Sequence, residues 1–418
     1  MVTMKATIVV GGTFTGFQLA AELHRRGALD RLITTHPPLR GEQIPPHLIR
    51  WNPWPEVLMR SGLPNGHYLK ALTFGRWAAR RVGEEDLLVV WGQFGAESLM
   101  KARQLGIRTV VVRQSLHPVK QREILNLPWT KLIDRELKEF DLADYVEVPT
   151  KISKQSFIKL GFPEERLLLV APVGADPTIF HPDQRCGGLP NRTKPHPTGP
   201  YPTSPCRAVP DPTRPRPAMP CRTQPDSTKE FHVLLVGCSF RKGTGHSLEA
   251  CRLAQVPVWV VGRPDGRIDR LEGLSSDPRG WRRHSGGRSE PLVTFLGPVS
   301  QRRLADLYRA AGVTVLMSLE EGLPHVLIES LASGCPVIAS VSSGANEVIQ
   351  HTREGWLVID KDVEMAAEYL ARLRANEPLR AKMSAAAAET GKRWSWDAYG
   401  TRAFAAYQRI LSGSTSGR

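Results

Sequence analysis

The chain has 418 residues, of which 41% are hydrophobic and 23% charged, and a formal net charge of +15. That length predicts two domains rather than one core, with the composition of an ordinary folded protein. No apolar run reaches the length of a membrane span. The positive balance either points to phosphate-bearing partners or reflects an arginine-rich composition. No RNP or zinc-finger pattern is present, so nucleic acid is not an expected partner. Cys186, Cys206, Cys221, Cys238, Cys251 and Cys335 form no Cys-x-x-Cys pair. Neither a zinc site nor a disulfide framework is expected, and reduced thiols fit.

Residues 5–12, KATIVVGG, predict a first strand ending in a glycine loop rather than a signal peptide, hence a cytoplasmic protein. A helix follows with Phe17, Leu19, Ala20 and Leu23 on one face. Gly11, Gly12 and Gly16 either offer N–H groups to an anion or make a tight strand-to-helix turn, the turn being favoured for Gly16. Strands at Leu32–Thr34, Leu87–Trp91 and Arg108–Val112 alternate with helices at Tyr68–Arg81 and Ala96–Leu105. This is the pattern of an α/β domain with a parallel sheet.

Residues 40–66, rich in Pro and Trp, fit no regular element and read as a surface excursion near a ligand mouth. His117 follows a strand's carboxyl end, where site residues gather; by itself it reads as a surface-loop histidine. The basic helical region 119–140, with Lys120, Arg122, Lys131, Arg135 and Lys138, is a solvated face or one turned to anionic lipid at a membrane's inner surface. Asp144–Val148 then forms a strand entering a helix capped by Thr150 or Ser153. Leu167–Val170 is a further strand, and Val173–Asp176 turns toward Phe180.

Residues 184–230 hold about a dozen of the chain's 34 prolines and almost no aliphatic side chains. Proline bars regular helix and central strand, and little apolar surface is left to bury. This stretch is expected to be a disordered insertion in an interdomain linker.

Order returns at Phe231–Gly237, a buried strand, followed by Cys238-Ser239-Phe240-Arg241-Lys242-Gly243 and a helix at Ser247–Leu253. Strands at Val258–Val261 and Leu292–Leu296 and a helix at Gln301–Ala311 come next. Val313–Met317 then reads as a strand, Ser318–Pro324 as a loop, His325–Ser333 as a helix and Val337–Ala339 as a strand, which is one βαβ unit. Glu321 and Glu329 bracket the helix start, where such sheets bind ligands. The last segment, Trp394–Leu411, has an aromatic-rich helical pattern suited to packing.

Two strand ends thus carry charge. Arg241 and Lys242 could grip a diphosphate with help from loop N–H groups, and Glu321 and Glu329 could accept hydrogen bonds from sugar hydroxyls. Singly, the cations read as a solvated loop pair and the acids as helix charges favoured by the dipole. As a set they suit a nucleotide-sugar.

At this point the residues resemble a family. Glu321-Gly322-Leu323-Pro324-His325-Val326-Leu327-Ile328-Glu329 resembles the E-x7-E motif of retaining GT-B glycosyltransferases of the GT4-like group. The likeness continues through Ala332–Ser340 and Gly344 to Glu347. Phe240–Gly243 is similar to the family's phosphate-gripping loop, and Phe295-Leu296-Gly297-Pro298-Val299 to its base-side strand end. Two departures stand out: Cys238 where the family often has Arg, and the proline-rich insertion.

The resemblance implies an α/β GT-B fold, two Rossmann-like domains facing each other across a cleft. Residues 1–176 would form the acceptor side, 177–230 the linker, 231–393 the donor domain, and 394–418 a helix returning to the first domain. It implies that Glu321 faces the donor sugar, aided by the backbone N–H groups of the stretch Gly322-Leu323-Pro324-His325. Val326 would lie beside them, and Glu329 would hold the ribose. Arg241 and Lys242 would stabilise the leaving diphosphate, Gly297 and Val299 would flank the base, Gly11 and Gly12 would approach from the first domain, and His117 would lie near the sugar.

The implied reaction is hexosyl transfer with retention from a nucleotide-diphosphate sugar to a saccharide, lipid-linked or small-molecule acceptor. With no convincing Asp-x-Asp, a metal-free reaction is expected, and no cofactor beyond the co-substrate. A nucleotide-sugar epimerase and a non-catalytic GT-B sugar-binding module remain as alternatives. A nicotinamide-dependent oxidoreductase fits poorly, because Gly11–Gly16 lacks G-x-G-x-x-G.

Overall fold

The computed structural model describes residues 4–12, 15–37, 43–182, 231–265, 282–285 and 288–413. The proline-rich stretch expected to be a disordered insertion lies outside the described residues, as do Cys186, Cys206 and Cys221.

The first half opens with β1 (Ala6–Val10), α1 (Gly16–Arg25), β2 (Leu29–Thr34), β3 (Ile49–Trp51), α2 (Trp54–Arg60) and α3 (Gly66–Ala79). It continues with β4 (Leu87–Trp91), α4 (Ala96–Leu105), β5 (Arg108–Val112), α5 (Pro118–Leu125) and α6 (Lys131–Leu142). It ends with β6 (Tyr145–Val148), α7 (Lys151–Ile158) and β7 (Leu167–Leu169). The strands form one parallel sheet in the order β3-β2-β1-β4-β5-β6-β7. β1 and β4 are buried along their whole length, as strands covered by helices on both faces must be.

The second half runs β8 (Val233–Val236), α8 (Thr244–Leu253), β9 (Val258–Val261), β10 (Arg282–Ser285), β11 (Arg288–Pro291) and β12 (Val293–Gly297). Then come α9 (Gln301–Ala310), β13 (Val313–Leu316), α10 (His325–Ala332), β14 (Val337–Ser340) and β15 (Gly355–Val358). Three helices close the chain: α11 (Val363–Ala375), α12 (Glu377–Gly391) and α13 (Trp396–Ser412). The main sheet is parallel in the order β12-β9-β8-β13-β14-β15, while β10 and β11 pair as an antiparallel hairpin.

Each sheet reverses its strand order at one place, between β1 and β4 in the first and between β8 and β13 in the second. Ligands of doubly wound sheets bind in the crevice at such a switch point, beyond the strands' carboxyl ends. The loops at those ends are Gly11–Gly12 and Gly92–Gly95 in the first half, and Gly237–Gly243 and Ser318–Pro324 in the second.

Residues 40–66 differ from the sequence reading. Within them Ile49–Trp51 pairs with β2 as the edge strand β3, and Trp54–Arg60 forms α2, started by a proline in its first turn. The pairing is tertiary, and three residues of strand leave no periodicity to read. The basic region 119–140 is two helices, and part of its charge is spent inside the molecule. Arg135 is buried in an ion pair with Glu97, and Lys120 pairs with Glu123 at 2.7 Å.

The last helix returns to the first sheet. Tyr399, Ala403, Ala406, Tyr407 and Ile410 of α13 pack with Leu19 and Leu23 of α1 in one apolar cluster. Tyr407 donates to the fully buried Glu147 of β6 at 2.6 Å, and Arg26 pairs with Asp397 at 2.9 Å. Among the described residues, no helix is long and apolar enough to cross a membrane.

Burial pushes the Glu147 carboxyl up from 4.5 to about 7, against the hydrogen bond from Tyr407. Between those values the folded chain holds a proton that the unfolded chain has lost, so this group's support for folding fades as pH rises. Glu147→Gln keeps an acceptor for Tyr407 and does not titrate. Its melting temperature is expected to match the wild type near pH 5 and to exceed it by several degrees near pH 8, read by scanning calorimetry across that range.

Candidate functional site

The second switch point gathers the charged residues singled out in the sequence. β8 ends at Val236, and Gly237 turns the chain with φ +90°. The loop to α8 is cross-tied by Thr244, whose hydroxyl accepts from the Ser239 N–H at 3.0 Å and donates back toward the Ser239 carbonyl at 3.1 Å. The Ser239 hydroxyl accepts from the Lys242 N–H at 3.2 Å. Leu319 N–H donates to the Arg241 carbonyl at 2.9 Å, tying this loop to the one after β13. A Cβ at Gly237 would stand 3.3 to 3.5 Å from the Lys242 stem, so the stem packs directly against this glycine.

Lys242 Nζ lies 2.8 Å from Glu321 Oε1, so the predicted cation and the predicted sugar-facing acid are ion-paired. Glu321 is buried, and its N–H donates to the Ser342 carbonyl at 3.1 Å. Gly322 follows where a Cβ would strike the Gln114 carbonyl and Pro149, so the first domain closes directly over this loop. Pro324 caps α10, whose first residues are His325 and Val326. The N–H groups of Gly322, His325 and Val326 have no protein acceptor among the described residues, leaving a helix start able to receive oxygen ligands.

The His325 ring packs on Trp396 at 5.5 Å. Burial, reinforced by Lys242, holds its pKa down to about 4 against the pull of Glu321 and a bond to the Gly174 backbone, so the ring is neutral near pH 7. Glu329 lies one turn further on the same face of α10. It accepts from the buried Tyr308 hydroxyl at 3.3 Å, and burial raises its carboxyl to about 7.

Glu320 drew no attention in the sequence, yet it is the most heavily bonded group in the cleft. It is fully buried. Its Oε1 accepts from the Ser115 hydroxyl and from the Leu116 N–H at 3.2 Å; its Oε2 accepts from Gln121 Nε2 at 2.7 Å and Arg241 Nε at 3.0 Å. Burial pushes its carboxyl up, but Arg241, Ser115 and Gln121 outweigh that and hold it below its ordinary value, so it is charged. Burial would pull the Arg241 guanidinium down, but Glu321 and Glu320 outweigh it and its pKa rises. Two acidic residues in a row with no periodicity gave no signal, and the partners lie some 200 positions away.

The other expected site residues are placed as follows. Gly11 is buried against the Phe94 ring, where a Cβ would clash, and Gly12 is buried beside it. Beside that loop Gln114 donates to the Thr15 hydroxyl at 2.5 Å. His117 caps α5: its Nδ1 accepts from the Val119 N–H at 3.3 Å, and its ring packs edge-on against Phe157 at 4.7 Å. Burial and the nearby Arg113 lower its pKa to about 4. Gly297 ends β12 with φ +66° and open space around it, and Val299 beyond is half-buried. Both lie two strands away from β8, off the Lys242–Glu321 centre. Cys238 is buried in the core of the second half, and Arg241 is the guanidinium that faces the cleft. Among the described residues no three His, Cys, Asp or Glu side chains converge to hold a metal ion.

Gly243 is a strict backbone position of this loop, with φ +62° and a Cβ that would overlap the Met317 carbonyl. Gly243→Ala is expected to cost more than about 1 kcal/mol and to misplace Lys242, seen as a lowered melting temperature.

Residues 289–390 match the family model described as glycosyl transferases group 1. The chain is 31% identical over 165 residues to the D-inositol 3-phosphate glycosyltransferase of Nocardioides sp., covering 38% of this chain and 36% of that protein. It is 37% identical over 173 residues to that of Mycobacterium avium, covering 40% and 39%. The chain thus spans little more than a third of the length of these curated relatives. Among solved structures it resembles the sucrose-phosphate synthase of Thermosynechococcus elongatus, with TM-score 0.65, 19% identity, and 98% and 100% of the two chains covered. It also resembles Anabaena HepE in complex with UDP and glucose, with TM-score 0.64, 16% identity and the same coverage. The family match is confined to residues 289–390, and the fold is the GT-B architecture of two Rossmann-like domains.

Proposed function

We propose that this protein is a retaining glycosyltransferase that moves a hexosyl group from a nucleotide-diphosphate sugar to a saccharide, lipid-linked or small-molecule hydroxyl. The observation that carries the reading is the Lys242–Glu321 pair at the second sheet's switch point, with Arg241 beside it and a helix start free to receive oxygen ligands.

In this reading the diphosphate lies along Gly237–Gly243, with Lys242 and Arg241 against its oxygens. As the bond from the anomeric carbon to the phosphate oxygen breaks, negative charge builds on the diphosphate and positive charge on the sugar ring. Fixed cations in a closed, poorly hydrated cleft stabilise that charge most where it develops. Arg241 and Lys242 serve the charge-neutralising role that a metal ion serves elsewhere, which supports a metal-independent reaction. Glu321 turns to the sugar hydroxyls and Glu329 to the ribose, each as a hydrogen-bond acceptor. The departing phosphate oxygen takes the proton of the attacking hydroxyl on the same face of the ring, so no enzyme nucleophile is assigned. His325 and His117, both held neutral, are suited to hydrogen bonding rather than to cationic roles.

Neighbouring structures were solved with UDP and with UDP-glucose, so these lead the panel of donors to try. In a thermal-shift panel of nucleoside diphosphates and their sugars, one base is expected to stabilise the protein selectively. Uniform silence across the panel would count against the donor site. Lys242→Ala and Glu321→Ala are each expected to lower transfer at least about a hundredfold while circular dichroism stays unchanged. Wild-type turnover in both would refute the assignment.

A further inference from the structure

Glu320 belongs to none of the roles assigned above, and its partners come from both domains. Ser115, Leu116 and Gln121 lie in the loop after β5 and in α5, while Arg241 lies in the loop after β8. The acid accepts four hydrogen bonds from these groups at the two oxygens of one buried carboxylate. Behind it the network runs deeper into the first domain. Gln121 Oε1 accepts from Arg113 Nη2 at 2.7 Å, and Arg113 Nη1 donates to the buried Glu136 at 2.8 Å. Arg241 also donates to the Glu320 backbone carbonyl at 3.0 Å, so the guanidinium is fixed by both the side chain and the main chain of one residue. Its side chain is still 38% exposed, which leaves part of the fork facing the cleft.

We propose that Glu320 is a positioning residue that couples closure of the two domains to the placement of Arg241. A buried carboxylate stripped of its partners is strongly disfavoured. With the first domain withdrawn, Glu320 keeps only Arg241; it gains the hydroxyl, the amide and the N–H when the first domain comes in. The acid is thus best satisfied in the closed state, and that state holds the guanidinium at the angle seen here. The two domains also meet through Lys151 N–H, which donates to Glu347 at 3.0 Å, but that contact touches neither cation.

The inference rests on the proposed role of Arg241 in diphosphate binding, and the test separates the two. Hydrogen exchange of the 114–121 segment reads the interdomain contact, and titration with UDP reads the site, in the wild type, Glu320→Ala, Glu320→Gln and a Ser115→Ala/Gln121→Met double variant. Glu320→Ala should raise exchange and weaken UDP by about tenfold, the worth of one charge-assisted bond. The double variant, whose changes lie wholly in the first domain, leaves the Arg241–Glu320 pair intact and also removes the 3.4 Å bond from Arg241 Nη2 to the Ser115 hydroxyl, a second first-domain contact of the guanidinium; it should raise exchange and also weaken UDP. Glu320→Gln, which still accepts from Arg241, should recover most of the loss. If the double variant raises exchange with no change in UDP affinity, closure and Arg241 placement are uncoupled and the proposal falls. It falls too if Glu320→Ala leaves exchange unchanged. If wild-type protein fails to bind UDP while Glu320→Ala still raises exchange, the closure contact stands and the reading of the diphosphate site is what fails.

Discussion

The cleft depends on one constraint: a buried carboxylate must be met by donors, and Glu320 finds them only where two domains and two loops converge. Four donors reach its two oxygens, and none could be supplied by the second domain alone except Arg241. Packing against Gly322 then brings the Gln114 carbonyl and Pro149 over the loop before α10, and no side chain larger than hydrogen fits between them. The result is a floor of fixed charges, Glu320 with Arg241 and Glu321 with Lys242, in which each cation is already balanced by an acid. On the proposed reading an incoming diphosphate would meet cations oriented in advance, which is the arrangement that favours charge developing in a transition state.

The fold puts these groups in place through topology. Both sheets reverse between a strand and a non-sequential neighbour, and the glycine-bearing loops sit at those reversals. Gly237 and Gly243 hold positive φ because the loop must turn under the Lys242 stem and pass close to the Met317 carbonyl. α13 then leaves the second half and packs on α1, so the two halves are joined at the back as well as at the cleft. Ala175 N–H donates to the Trp394 carbonyl at 2.8 Å, so the outgoing and returning crossings run side by side.

Much of this was legible in the sequence, because the signals were local. β13, its loop and α10 are contiguous, so Glu321 and Glu329 could be read at the start of one helix, and Arg241 and Lys242 at the end of an apolar strand. The aromatic spacing of α13 announced its packing face. What stayed hidden was tertiary. Glu320 looked like one more loop acid because Ser115 and Gln121 are far away in sequence. β3 is too short to show a period and exists through its pairing with β2. His117 looked like a surface histidine and is instead a buried helix cap against Phe157. Glu147 sat in a strand without sign that Tyr407, 260 positions on, would donate to it.

The central claim is that the second switch point holds the diphosphate of a sugar donor. A crystal structure of the full chain soaked with UDP tests it most directly. The diphosphate is expected along Gly237–Gly243 with oxygens within hydrogen-bonding distance of Lys242 Nζ and the Arg241 fork, and the ribose hydroxyls at Glu329. Density for UDP at the Gly11–Gly12 loop of the first domain, with Lys242 and Glu329 untouched, would contradict it.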